Sequence, residues 1–169
     1  MNIIALLMIG VSLSLIGRYL SYRMTLRVNV LEKIVLMFTI ISNEISYVCM
    51  PSDEIARLLC KNSDLKDLSF LKKCVNLIDS GKDFPVAWKM SLEDKNNILF
   101  IRKKDVELLK AFGENFGLTD VEGQVSLCKL YEETLRLYYA EAIREKERFS
   151  GPATVLGLLC GISVIVVFL

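Results

Sequence analysis

Carboxylates are the only side chains of this sequence suited to acid–base chemistry near neutral pH, because it contains no histidine. They are spread over the polar sides of helical repeats, where a solvated surface is the plain reading. The five cysteines, Cys49, Cys60, Cys74, Cys128 and Cys160, form no CxxC pair and sit mostly in apolar contexts. They read as small reduced core residues rather than as a metal site or a disulfide framework. A GxxxxGK[ST] phosphate loop, a Gly-rich dinucleotide turn and a GxSxG elbow are all missing. The chain is therefore expected to be no enzyme and to need no cofactor.

Three other groups of residues carry information of a different kind. Lys103, Lys104, Lys110 and Glu114 lie on the polar side of one amphipathic stretch, as candidate contacts for a partner or simply as a solvated face. Trp88 belongs to a short amphipathic helix as a core anchor, with an exposed contact residue as the alternative. Gly113 falls inside the pattern Leu109, Phe112, Phe116, where glycine costs about 1 kcal/mol relative to alanine. Close backbone approach of a neighbouring helix would explain it. Gly117 reads as the helix C-cap, with Leu118 folding back on the helix. Finally, Ala153, Gly157 and Gly161 place small residues at every fourth position, a face along which helices in lipid approach closely.

The elements that hold these residues follow from periodicity. Leu26, Val30, Ile34, Met37, Ile41, Ile45 and Val48 repeat at helical spacing, and neither glycine nor proline occurs between Gly17 and Pro51. Pro51 ends that helix and opens a second, with Asp53 and Glu54 in its first turn and its end near Lys61. Asn62 or Ser63 is expected to cap a third, with Leu65, Leu68, Leu71, Val75 and Ile78 as its stripe and Gly81 left-handed just beyond. Asp83 and Pro85 start a fourth, carrying Trp88 and Leu92. A fifth is expected from about Ile98 to Asn115. The sixth opens on a Thr119/Glu122 capping box and continues through Val121, Val125, Cys128, Tyr131, Leu135, Tyr138 and Ala142. No stretch alternates with period two long enough to demand a strand, so the fold class is all-α.

A net charge of +1 gives no bias toward nucleic acid, but the distribution of charge is informative. Every charged side chain lies between Arg18 and Arg148. Residues 1–17 form an uncharged apolar stretch about 25 Å long as a helix, and Phe149 to Leu169 form another of roughly 31 Å, the thickness of a bilayer core. A cleaved signal peptide would carry its positive charge ahead of the apolar run, whereas here Arg18 follows it, so the first segment reads as an uncleaved anchor. The expected organisation is an N-terminal transmembrane segment at 1–17, a cytoplasmic bundle of about six helices at 18–149, and a C-terminal transmembrane helix at 150–169. Arg18, Arg23, Arg27 and Lys33 after the first segment, with Arg136, Arg144, Lys146 and Arg148 before the second, put the bundle in the cytoplasm by the positive-inside rule.

The blocks "NEISYVCMPSDE" (Asn43 to Glu54), "AWKMSL" (Ala87 to Leu92) and "ELLKAFGENFG" (Glu107 to Gly117), followed by Asp120 and Gln124, resemble stage III sporulation protein AB of endospore-forming bacteria. That resemblance, which covers nearly the whole chain, implies membership of the mother-cell membrane complex linking mother cell and forespore. It also implies a cytoplasmic secretion-type ATPase, stage III sporulation protein AA, as partner, beside other stage III sporulation membrane proteins and membrane lipid. The family is similar in turn to the helical domain of the type II secretion and type IV pilus inner-membrane platform protein. The expected function is thus a non-enzymatic membrane platform that couples the ATPase to the complex, with Lys103, Lys104, Lys110 and Glu114 as docking contacts. A membrane-anchored receptor that binds a small ligand among its helices, beside Trp88, Tyr138 and Tyr139, is the rival reading.

Overall fold

The computed structural model describes the backbone of residues 3–94 and 100–168, and the side chains of Ser12 and of residues 15–94 and 100–149. Among the described residues the chain is all helical, with no strand. Six α-helices follow one another: α1 (Ile3–Val48), α2 (Ser52–Lys61), α3 (Ser69–Asp79), α4 (Phe84–Glu93), α5 (Lys103–Asn115) and α6 (Val121–Phe168). The expected membrane segments, 1–17 and 150–169, fall largely outside the described side chains. Among the described residues no helix is long and apolar enough to cross a membrane.

The chain divides into two compact units, Met1–Val28 with Ala140–Leu169, and Asn29–Tyr139. In the first, the buried Arg27 guanidinium donates to the Glu145 carboxylate at 3.1 Å, next to buried Val28 and Ala142. The guanidinium is taken out of water while Glu145 stays half-buried, so the arginine is expected to depend on its partner for charge compensation.

Helix ends organise the second unit. Pro51 stands before α2, and Asp53 and Glu54 occupy the first turn, where the helix dipole favours acids. At the end of α3 the Gly81 N–H donates to the Ile78 carbonyl and the Lys82 N–H to that of Leu77, at 2.9 and 3.1 Å. This is a Schellman motif, and it requires the left-handed φ of +89° that Gly81 supplies. α4 begins after Asp83, with Pro85 in its first turn.

Three helix starts differ from expectation. Asn62 caps only a short 3₁₀ turn at Ser63–Leu65, its side chain accepting from the Asp64 N–H at 2.9 Å. α3 then begins at Ser69, so its buried face is Phe70, Leu71 and Cys74, while Val75 and Ile78 are half-buried. α5 begins at Lys103 rather than Ile98; Ile98 lies outside the described residues. The start is fixed by Asp105, whose carboxylate accepts the Arg102 backbone N–H at 2.8 Å. For α6 the cap is Asp120, one residue past Thr119: its carboxylate accepts the Gly123 N–H at 2.9 Å. An aspartate reaches that donor directly, and Gly123 leaves room for it, since a Cβ there would stand 2.9 Å from Asp120 Oδ1.

Within the first unit Arg27 of α1 meets Glu145 of α6, and within the second Phe38 of α1 stacks on Tyr131 of α6. Beside them Leu31, Ile34, Met37, Phe38, Ile41, Ile55, Leu59 and Leu71 are fully buried. Each such side chain contributes about 1.5–3 kcal/mol by leaving water. Val48, the last of the predicted α1 stripe, is instead exposed.

Candidate functional site

At the centre of the second unit Trp88 is 0% exposed. Its indole N–H donates to the Leu109 carbonyl of α5 at 2.8 Å, so burial leaves no donor unpaired. A Cβ at Gly113 would stand 2.2 Å from Trp88 Cδ1. What approaches Gly113 is thus the indole ring of α4 rather than the backbone of a neighbouring helix. Phe70 and Phe84 pack against the indole with centroids 5.3 Å away, and Phe112 at 5.8 Å. Phe112 in turn meets Phe38 at 4.6 Å and Tyr131 at 5.5 Å. The rings therefore join α1, α3, α4, α5 and α6. Gly117 holds a φ of +87°, but Leu118 does not fold back: it is 73% exposed, because the backbone turns directly into the Asp120 cap.

The charged side of α5 is bound into the bundle. The Glu114 carboxylate accepts from Lys89 of α4 at 2.8 Å, Lys110 lies 3.9 Å from Glu107, and the Lys104 ammonium sits 4.4 Å from the Tyr138 ring centroid. Lys103 is exposed in the first turn. The hydrogen bond and charge of Lys89 hold the Glu114 carboxyl below its ordinary pKa, and those of Glu114 raise Lys89 above its own. Both groups are solvent-exposed, so the pair orders the surface more than it stabilises the fold. Positive and negative charges alternate along this side. Ala153, Gly157 and Gly161 lie outside the described side chains.

Burial pushes the Cys74 thiol up to about 12, with a smaller contribution from Cys60, and the Cys128 thiol likewise, with Glu132 adding to it. Such thiols are poor nucleophiles. Cys49 is exposed at the end of α1. An open groove of about 380 Å³ lies between α1 and the 3₁₀ turn, lined by Glu32, Lys33, Leu36, Ser63, Asp64 and Lys66. None of its lining residues is Trp88, Tyr138 or Tyr139, beside which sequence reasoning placed a ligand. Asp105 was missed by that reasoning. It is fully buried, and its signal was an acid at the third helical position of a start placed five residues too early.

A helical bundle closed by a shared set of aromatic rings defines the class: an all-α packing domain held between two long helices. The model of the stage III sporulation protein AB family matches residues 2–169, and the chain belongs to that family. A curated relative, stage III sporulation protein AB of Bacillus subtilis (strain 168), is 30% identical over 93 residues, 54% of this chain and 54% of the relative. The chain thus matches about half the length of that relative. A solved structure of stage III sporulation protein AB is similar with a TM-score of 0.57 and 25% identity, covering 70% of this chain and 94% of that one.

Proposed function

We propose that the chain serves sporulation as a non-enzymatic membrane platform. In this reading the helical bundle stands in the cytoplasm between membrane segments at 1–17 and 150–169, in the mother-cell membrane facing the forespore. It receives a secretion-type ATPase and joins other stage III sporulation membrane proteins in a secretion-like channel complex. The observation that carries the reading is the family match over residues 2–169. The two uncharged terminal stretches and the basic residues beside them support the membrane topology. The exposed ammonium of Lys103, with Lys104, Lys110 and Glu114 along the same helix, supports α5 as the ATPase contact.

The test is recovery of the ATPase with the full-length chain from detergent extracts. Reversing Lys103, Lys104 and Lys110 together to glutamate is expected to weaken that recovery and its salt dependence while leaving helix content and membrane insertion unchanged. Undiminished recovery would remove α5 as the contact, and absence of the ATPase from wild-type extracts would remove the platform reading itself.

A further inference from the structure

The first unit leaves the large apolar side chains Leu15, Ile16, Tyr19, Leu20, Tyr22 and Phe149 exposed, Tyr19 at 60% and Tyr22 at 61%. Leu15, Tyr19 and Tyr22 follow one another at steps of four and three, so they share one face of α1. Arg23 stands exposed next to Tyr22. The two segments of this unit, 1–28 and 140–169, form one compact body. Arg27, near the end of the first segment, pairs with Glu145, near the start of the second, so within this unit the segments run in opposite directions. Counted along each helix from that pair, Tyr22 and Arg23 lie about 6–8 Å away and Arg148 and Phe149 about 5–6 Å away, toward the same end. The Arg148 guanidinium sits 5.4 Å from the Phe149 ring centroid.

The order of residue types away from the Arg27–Glu145 pair is the same on both helices. On α1, Arg23 and Tyr22 and then Tyr19 and Arg18 lead into a stretch without charge; on α6, Arg144, Lys146 and Arg148 lead through Phe149 into another. Basic side chains, then aromatic rings, then uncharged chain is the layering of one bilayer leaflet, from headgroups to acyl chains. A folded protein partner would impose no such order on two helices at one level. Charge then selects the kind of lipid. This unit carries six basic side chains against three acidic ones. One of the acids, Glu145, is taken up by Arg27, and no ion pair engages Arg18, Arg23, Arg144 or Arg148 among the described residues. An excess of positive charge at headgroup level favours anionic phospholipid, whose phosphate accepts hydrogen bonds from a guanidinium fork.

We infer that the first unit forms a headgroup-level site for anionic phospholipid. The lipid phosphates meet Arg23 and Arg148, with Arg18 and Arg144 beside them, while Tyr19, Tyr22 and Phe149 lie at the boundary with the acyl chains. The inference rests on the membrane topology proposed above and adds to it the class of lipid that the chain selects.

The experiment offers the full-length chain, purified in detergent, equal amounts of phosphatidylglycerol and phosphatidylcholine, and counts the bound lipid by native mass spectrometry. The expected result is retention of phosphatidylglycerol about ten-fold above phosphatidylcholine. Arg23→Gln with Arg148→Gln should cut that preference about five-fold, whereas Arg23→Lys with Arg148→Lys should keep most of it. Removing two exposed charges of the bundle instead, by Lys72→Gln with Lys129→Gln, should leave it unchanged. Helix content checks that each pair folds; if the glutamine pair does not, raised salt on the wild-type chain reads the same dependence on charge. Equal retention of the two lipids, an equal loss in the Lys72 and Lys129 control, or displacement of the lipid by millimolar inorganic phosphate would each overturn the proposal. Washing membranes with alkaline carbonate keeps the two readings apart. Release of the chain would remove the membrane topology and this site with it, while a chain that stays in the membrane without lipid preference would remove the site alone.

Discussion

The indole of Trp88 lies directly on the backbone of α5 at Gly113, where a Cβ would come within 2.2 Å of Trp88 Cδ1. Alanine would improve helix propensity there by about 1 kcal/mol, yet the ring has nowhere to go, being flanked by Phe70, Phe84 and Phe112. Overpacking wins. Gly113→Ala is expected to destabilise the chain by about 1–3 kcal/mol in a denaturant melt, and Trp88→Ala by about 3–5 kcal/mol. Combined, the two should cost clearly less than their sum, because the smaller residue at position 88 relieves the clash. Additivity would mean that the contact does not constrain the core.

The Lys89 and Glu114 pair sets a pH window. Glu114 has a lowered pKa when folded, so its contribution is present above the ordinary carboxylate pKa and lost as pH falls through the lowered value. Lys89 has a raised pKa, so its contribution is present below the ordinary lysine pKa and lost as pH rises through the raised value. Glu114→Gln should flatten the acid side of the stability profile slightly, measured by melts across the acid range. An unchanged profile would show that the pair is fully screened.

Cysteine accessibility reports both packing and sidedness. In a folded chain Cys49 should react with a maleimide within minutes, while Cys74 and Cys128, buried and with thiols pushed up to about 12, should react only on unfolding. With the bundle in the cytoplasm, a membrane-impermeant reagent should miss Cys49 in intact cells and modify it once the membrane is opened. Labelling in intact cells would reverse the topology.

On the proposed membrane topology, Gly157→Leu and Gly161→Leu add bulk where helices are expected to approach. Each should remain membrane-inserted, since leucine raises hydropathy, yet fail to assemble into the complex. Complex recovery at wild-type levels from both variants would leave the small-residue row without a role.

Features set by neighbours along the chain were legible in the sequence. Gly81 after the α3 stripe and Asp83 with Pro85 before α4 are local signals, and both helix boundaries follow them. Starts with competing signals were not. Thr119 and Glu122 match a capping box, but Asp120 between them caps more directly; the run from Ile98 looks apolar enough for a helix, but Asp105 fixes the start at Lys103. At Gly113 the pattern showed that something must come close without saying what, because Trp88 is far away in sequence. The exposure of Val48 was invisible for the opposite reason: it continues the apolar stripe of α1, and only the end of that helix shows that the core stops before reaching it.

Phe112 touches Phe38, Trp88 and Tyr131, rings from three other helices, as well as Phe116 just beyond its own. Detaching any one of those helices uncovers a ring that the others share, so partial openings cost nearly as much as complete ones. Backbone amides in the buried turns of α3, α4 and α5 should therefore exchange with solvent deuterium through one common opening, with a shared free energy and a shared denaturant dependence. The bundle would respond to strain as a single cooperative block, holding its shape up to the point at which it gives way altogether.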